Sequence, residues 1–237
     1  MEQILHFLLS LDENIFLFFN GMHSEFWDYF MMTYTGKFIW VAMYASVLFI
    51  LYRSYKWNVA TIFVLSLIIA IVLADQVCAT FIRPYVERLR PSNLENSLSA
   101  LTLIVDGYRG GAYGFPSCHA SNSLALATFI CLSIKKRRAV CFIIVWALLN
   151  MYTRLYLGVH YPGDLLVGGI IGATAGALMY RCAVAITKRI WKHEHILHGS
   201  ERLFPSCPLS TGDTLPLTGT LTIIGIIIYS TIKVFIS

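Results

Sequence analysis

The chain has 237 residues, 57% of them hydrophobic and only 13% charged, with a mean hydropathy of +0.66 and a formal net charge of +5. A soluble domain carries roughly 25% charged residues, so too few polar groups are present to keep a globular surface wet. The composition points to one integral membrane domain. The basic residues gather at the ends of apolar segments, which argues for membrane orientation rather than nucleic-acid binding.

Residues 2 to 20, EQILHFLLSLDENIFLFFN, are apolar but interrupted by Asp12, Glu13 and Asn14. The expectation is an amphipathic or re-entrant helix at the membrane interface that does not cross. Glu2, Asp12 and Glu13, with no Lys or Arg in the first twenty residues, are the reverse of a signal peptide's basic start. The first clear span is expected over 34–52, with Trp27, Tyr29, Phe30, Tyr34 and Trp40 as an interfacial belt at its head and Arg53 and Lys56 at its foot.

The second span is expected over 57–81, followed by the basic patch RPYVERLRPSN and a Gly-rich loop, GYRGGAYG, within 94–115. Further spans are expected over 117–134, 139–157, 163–187 and 217–236. Gly168, Gly169, Gly172 and Gly176 permit close helix contact in the fifth. The fold class is therefore an all-α polytopic bundle of five to six spans plus an N-terminal interfacial helix. The expected units are 1–26 as interfacial segment, 27–190 as core, 191–216 as polar loop and 217–237 as terminal span.

Charge sets the orientation. Arg53 and Lys56, the run from Lys135 to Arg138, and Lys188, Arg189 and Lys192 all fall on one side, which is then cytoplasmic. The opposite face holds residues 1–33, 82–116, 158–162 and the C-terminus. It still carries Arg83, Arg88, Arg90, Arg109 and Arg154, against the positive-inside trend. Arginine suits bidentate recognition of phosphate. Cysteines at 78, 118, 131, 141, 182 and 207 show no metal-ligand spacing and read as small packing residues.

Three stretches meet on that face. Arg83 and Arg90-Pro91 follow the second span. Pro116-Ser117-Cys118-His119 opens the third. Arg154, His160 and Asp164 stand in TRLYLGVHYPGD between the fourth and fifth. Arginines can neutralise a phosphate and the charge of its transition state. A helix N-terminus at Ser117 offers free N–H groups to the same oxygens. Two histidines can divide the work of nucleophile and general acid, and Asp164 can fix the tautomer of His160. No metal-ligand set is left over. The parts amount to metal-independent phosphoryl transfer. Outside this set, Arg88 reads as a headgroup contact or a plain surface charge, and Arg109 as a residue that gates the site or reads a headgroup.

The spacing resembles the type 2 phosphatidic acid phosphatase (PAP2) superfamily, whose signatures are Lys-x6-Arg-Pro, Pro-Ser-Gly-His and Ser-Arg-x5-His-x3-Asp. Here Arg83 replaces the Lys, Cys118 the Gly and Thr153 the Ser, and the likeness covers roughly residues 27 to 185. It implies that His160 attacks phosphorus to form a phosphohistidine, that Asp164 supports it, and that His119 protonates the leaving oxygen and then activates water. It implies a phosphate clamp of Arg83, Arg90 and Arg154, with Ser117 and the Cys118 amide adding hydrogen bonds. No cofactor is implied. The implied substrate is a lipid phosphate of the bacterial envelope: undecaprenyl diphosphate, a lipid A phosphate or phosphatidylglycerol phosphate, met at the periplasmic face of the inner membrane. The alternatives are lipid-to-lipid phosphotransfer and a non-catalytic binder or transporter of lipid phosphates.

Overall fold

A computed structural model describes residues 2–190 and 209–236. The polar loop expected over 191–216 lies mostly outside the described residues, as do Lys192 and Cys207. The architecture is all-α. Helices α1 (Glu2–Asn20), α2 (Glu25–Tyr34), α3 (Val41–Ser54) and α4 (Trp57–Gln76) come first. A π turn (Val77–Ile82) carries α4 into the short α5 (Arg83–Val86). Then follow α6 (Cys118–Ile134), α7 (Arg137–Tyr156), α8 (Pro162–Ile190), the short α9 (Leu209–Gly212) and α10 (Thr214–Ile236).

Among the described residues, four helical segments are long and apolar enough to cross a membrane: 57–86, 137–156, 162–190 and 214–236. The pair α2 and α3, bent by 70°, makes a fifth if counted as one span. The span expected over 34–52 is therefore corrected. Tyr34 ends one helix, and the chain breaks at 35–37 before entering the next. The break also corrects the expected aromatic belt. Phe30, Tyr34 and Trp40 are buried, and only Trp27 of the larger aromatics named there is well exposed. The bend brings the Trp40 ring edge-on to Trp146 of α7 at 5.7 Å, and the Trp40 indole N–H donates to the Tyr34 carbonyl at 2.8 Å.

α6 has 17 residues, shorter than a full span. Its surroundings explain the length: it is enclosed by α4, α7 and α8, and Phe129 and Ile130 are fully buried. A helix walled by protein need not match the bilayer thickness. The closest wall is α8. A Cβ on Gly168, Gly172 or Gly176 would overlap the backbone of Ser117, Ser121 or Ala125 respectively. The three glycines repeat every four residues, so one face of α8 lies backbone-to-backbone on α6. That contact fixes the relative height of the two helices, and with it the height of Ser117 and His119 against His160 and Asp164.

The basic ends are gathered at one end of the bundle. The Tyr55 hydroxyl, just past α3, donates to the Ser133 carbonyl of α6 at 2.6 Å. Arg138 at the start of α7 pairs with Asp213 at the start of α10 at 3.6 Å. The other end carries the loop over 87–117 and the α7–α8 turn. α1 is fastened there by its C-terminal half. Phe16 is buried edge-on against Tyr161, and the Asn20 amide bridges the carbonyls of Leu103 and Tyr156 while accepting from the Leu103 N–H. Its N-terminal half leaves Ile4, Leu5, Phe7 and Leu8 exposed, an apolar surface suited to the interface. α1 is not among the helices long and apolar enough to cross.

Replacing Gly172 with Ala should therefore cost about 1–3 kcal/mol through overpacking, read as a lower midpoint of thermal unfolding in detergent. Gly225→Ala is the matched control, because a Cβ there meets nothing within 4 Å; its midpoint should stay or rise slightly.

Candidate active site

The first part of the site comes from the end of α4. The π turn places Arg83 at the start of α5, where its Nη2 donates to the Pro116 carbonyl at 2.9 Å and to the Cys118 sulfur at 3.0 Å. π-type insertions often occur at functional sites, because one extra residue re-aims everything after it. The substitution of Cys for Gly at 118 thus has a visible consequence: its thiol occupies one donor of Arg83.

The second part is the loop over 87–117. Leu89 and Tyr113 form an antiparallel bridge, with the Arg90 N–H bonded to the Ala112 carbonyl and the Gly114 N–H to the Arg88 carbonyl. In extended chain, residues two apart point the same way, so Arg88 and Arg90 reach one side together. That side is the α7–α8 turn. The Ser92 N–H bonds the Gly158 carbonyl at 3.0 Å. Gly158 has a φ of +70°, and a Cβ there would stand 2.6 Å from Thr102, so both conformation and space favour glycine.

The third part is the pair His160 and Asp164. His160 is 2% exposed and Asp164 fully buried. Nδ1 of His160 lies 3.3 Å from Oδ2 of Asp164, and the Tyr161 N–H donates to the same oxygen at 3.0 Å. Nη1 of Arg90 lies 3.0 Å from Nε2 of His160. A guanidinium only donates, so Nε2 is the acceptor and Nδ1 carries the proton toward Asp164. The lone pair of Nε2 therefore faces Arg90. Burial first, then the charges of Arg90, Arg154 and Arg83, hold this imidazole well below its ordinary pKa, so the ring is neutral at neutral pH.

Arg154 is 2% exposed. Its Nη1 donates to the Thr35 hydroxyl at 2.8 Å and its Nη2 to the Tyr108 hydroxyl at 3.0 Å. The Nε atoms of Arg83, Arg90 and Arg154 are all buried with no partner. Burial, followed by repulsion from Arg154 and Arg83, lowers the pKa of Arg90 to about 10. Three cations held this close with spare donors form a ready site for an anion, since unpaired buried charge is costly. His119 lies within electrostatic reach of Arg154, His160, Lys37 and Arg90. Ser117 is fully buried and caps α6, its hydroxyl accepting the Ala120 N–H at 3.4 Å, while its own N–H bonds the Asp164 carbonyl. The Thr153 hydroxyl turns back onto the Asn150 carbonyl.

All eight residues singled out in the motifs thus lie at this end of the bundle. Two others are corrected. Arg88 is not a free surface charge: it pairs with Asp164 at 3.0 Å and Asp12 at 2.7 Å. Arg109 is turned into the loop: its Nη1 donates to the Ser92 carbonyl and the Ser99 hydroxyl, so that donor is not free to read a headgroup. Sequence reasoning missed Thr35, Lys37, Tyr108 and Gly114. A Cβ on Gly114 would stand 3.0 Å from Asp164 and 3.4 Å from His160, so this glycine gives the pair room. Burial opposes ionisation of Tyr108, yet the Arg154 charge and hydrogen bond, and then Arg90, bring its pKa below the ordinary value. Among the described residues, no group of three or more His, Cys, Asp or Glu side chains is placed to hold a metal ion.

An all-α bundle of membrane-length helices with buried arginine donors beside a neutral histidine suits an integral membrane phosphatase, the class to which its relatives belong. Residues 60–188 match the model of the PAP2 superfamily, and the chain belongs to that superfamily. It is 48% identical over 232 residues to a lipid A 4′-phosphatase of Bacteroides thetaiotaomicron, covering 97% of this chain and 100% of the relative. It is 28% identical to a lipid A 4′-phosphatase of Porphyromonas gingivalis, over 94% of this chain and 91% of the relative. An undecaprenyl-diphosphatase of Sulfolobus acidocaldarius is 31% identical over 61% of this chain and 63% of its own. The fold matches the crystal structure of Aquifex aeolicus LpxE with a TM-score of 0.52 at 20% identity, over 72% of this chain and 95% of that one.

A histidine held neutral by its surroundings takes up its proton mainly on unfolding. The unfolded state then binds more protons below about pH 6.5, and stability falls as pH drops through that value. Thermal midpoints in detergent between pH 8 and about 5 should show this slope, and His160→Ala should make it shallower.

Proposed function

We propose that this enzyme removes the 4′-phosphate of lipid A by way of a phosphohistidine on His160. The observation that carries the chemistry is the lone pair of Nε2, directed at Arg90, with Arg83 and Arg154 within electrostatic reach and the Nε donors of all three free. The substrate assignment is supported by the relative that is 48% identical over nearly the whole of both chains.

In this reading the phosphate displaces the Arg90–His160 contact and takes up the spare donors of Arg83, Arg90 and Arg154, with Ser117 and the Cys118 amide adding hydrogen bonds. Nε2 attacks phosphorus; the P–N bond forms as the bond to the sugar oxygen breaks. Asp164 holds the Nδ1 proton and offsets the positive charge of the phosphorylated ring. His119, protonated once the bound phosphate dianion offsets the neighbouring arginines, gives that proton to the departing oxygen, so the lipid leaves as an alcohol. His119 then takes a proton from water, whose oxygen attacks phosphorus, breaks the P–N bond and releases inorganic phosphate. The arginines stabilise both transition states electrostatically. The positive-inside rule puts the Arg53, Lys135–Arg138 and Lys188–Arg189 end in the cytoplasm. The site then faces the periplasm from the inner membrane, at the depth where lipid headgroups lie.

The test is phosphate release by purified protein in detergent with EDTA present, offered lipid A, undecaprenyl diphosphate and phosphatidylglycerol phosphate. Lipid A should be the preferred substrate, with product lacking the 4′-phosphate by mass. His160→Ala should abolish turnover, and His119→Ala should lower it about 10²–10⁴-fold, as for loss of a general acid. Preference for undecaprenyl diphosphate would move the assignment toward the function of the Sulfolobus relative. Phosphate appearing on an added acceptor lipid rather than in solution would mark a transferase, and binding without release a lipid-phosphate carrier.

A further inference from the structure

Asp12 of α1 is far in sequence from every motif of the site, yet it is two side chains away from His160. Its Oδ1 accepts the Gly163 N–H at 2.7 Å, and its Oδ2 takes Nη2 of Arg88 at 2.7 Å. Arg88 passes the contact on, with Nη1 at 3.0 Å from Oδ1 of Asp164. Asp164 uses its other oxygen for Nδ1 of His160. The Arg88 guanidinium lies over the Tyr161 ring, 3.9 Å from its centroid, and that ring meets Phe16 of α1 edge-on at 5.4 Å. The side chains of Asp12 and Arg88 are 13% and 20% exposed. The fork of Arg88 is thus fixed by two carboxylates and one aromatic face, a geometry that lysine cannot reproduce.

The arrangement has an electrostatic consequence. Arg88 alone would hold Asp164 in place but would also neutralise the negative charge that an imidazolium needs beside it. Asp12 offsets Arg88, so Asp12, Arg88 and Asp164 together present a net negative charge to His160 while Asp164 keeps its orientation. Partners in the outer shell of a site work this way when they fix a ligand and tune its basicity.

We propose that Asp12 is a positioning residue for catalysis, acting through Arg88 on Asp164, and that α1 is therefore part of the reaction apparatus as well as a membrane-surface helix. The proposal rests on the reading of His160 and Asp164 as the reacting pair.

The experiment uses the full chain, purified in detergent and assayed on lipid A, with Asp12→Asn, Asp12→Glu, Arg88→Gln, Arg88→Lys, the double variant D12N/R88Q, and His160→Ala as reference. Asp12→Asn should lower kcat about 10–100-fold and leave KM within about threefold, the signature of support felt mainly in the transition state. Asp12→Glu should recover most of the rate. D12N/R88Q should be no slower than Arg88→Gln alone, because the two act through one path. If Asp12→Asn does not fold, Arg88→Lys keeps the charge and loses the fork, and should show the same fall in kcat. Thermal midpoints separate an anchor from a relay. A loss that follows a lowered midpoint, raises KM and is not recovered by Asp12→Glu would overturn the proposal. So would full kcat in Asp12→Asn while His160→Ala is inactive. An active His160→Ala would instead overturn the reading of the site on which the relay stands.

Discussion

The constraint on which the structure depends is the crowding of three guanidinium groups around one buried imidazole. Burial, and then repulsion from Arg154 and Arg83, lowers the pKa of Arg90 to about 10, and each of the three keeps a buried donor without a partner. No flexible loop would hold such a cluster together. It persists because each member comes from a different element whose position is fixed for other reasons: a π turn for Arg83, a bridged loop for Arg90, a long apolar helix for Arg154. The fold supplies the free energy that keeps like charges together, and an anion would return part of it on binding.

The helix packing serves that placement. The glycine face of α8 on α6 sets two helix starts side by side, and the Ser117 N–H reaches the Asp164 carbonyl across the gap. The start of α6 is therefore held beside the His160–Asp164 pair. The proposed nucleophile and the proposed acid sit on these two starts, so a slip of one helix turn would part them. Small residues are the means, because only backbone contact defines height this closely in a medium where apolar side chains gain little from leaving lipid.

The outer shell is built by the same logic. Arg88, held by Asp12, pairs with Asp164, the Gly114 backbone lies beside that carboxylate, and Thr35 and Tyr108 take the outer donors of Arg154. These groups come from α1, the α2–α3 break, the basic stretch after α5 and the Gly-rich loop. Segments that look peripheral in the chain thus supply much of the polar contact around the central pair.

The sequence by itself determined the class of fold, the order and approximate extent of the apolar helices and the basic end, and it pointed to Arg83, Arg90, Ser117, Cys118, His119, Arg154, His160 and Asp164 as a phosphate site. It could do so because hydropathy and charge act locally, and because phosphate chemistry needs particular side chains at short fixed spacings. Tertiary structure alone decided the break at 35–37, which turns an expected aromatic belt into core, and the fates of Arg88 and Arg109. Both arginines sit in polar, loop-like stretches, and nothing in the linear pattern says that one is held between Asp12 and Asp164 while the other is spent on Ser92. Those partners are 76 residues apart for Arg88 and Asp164, and 17 for Arg109 and Ser92. A long-range ion pair leaves no periodic trace in the chain. It exists only once the helices have fixed the distances.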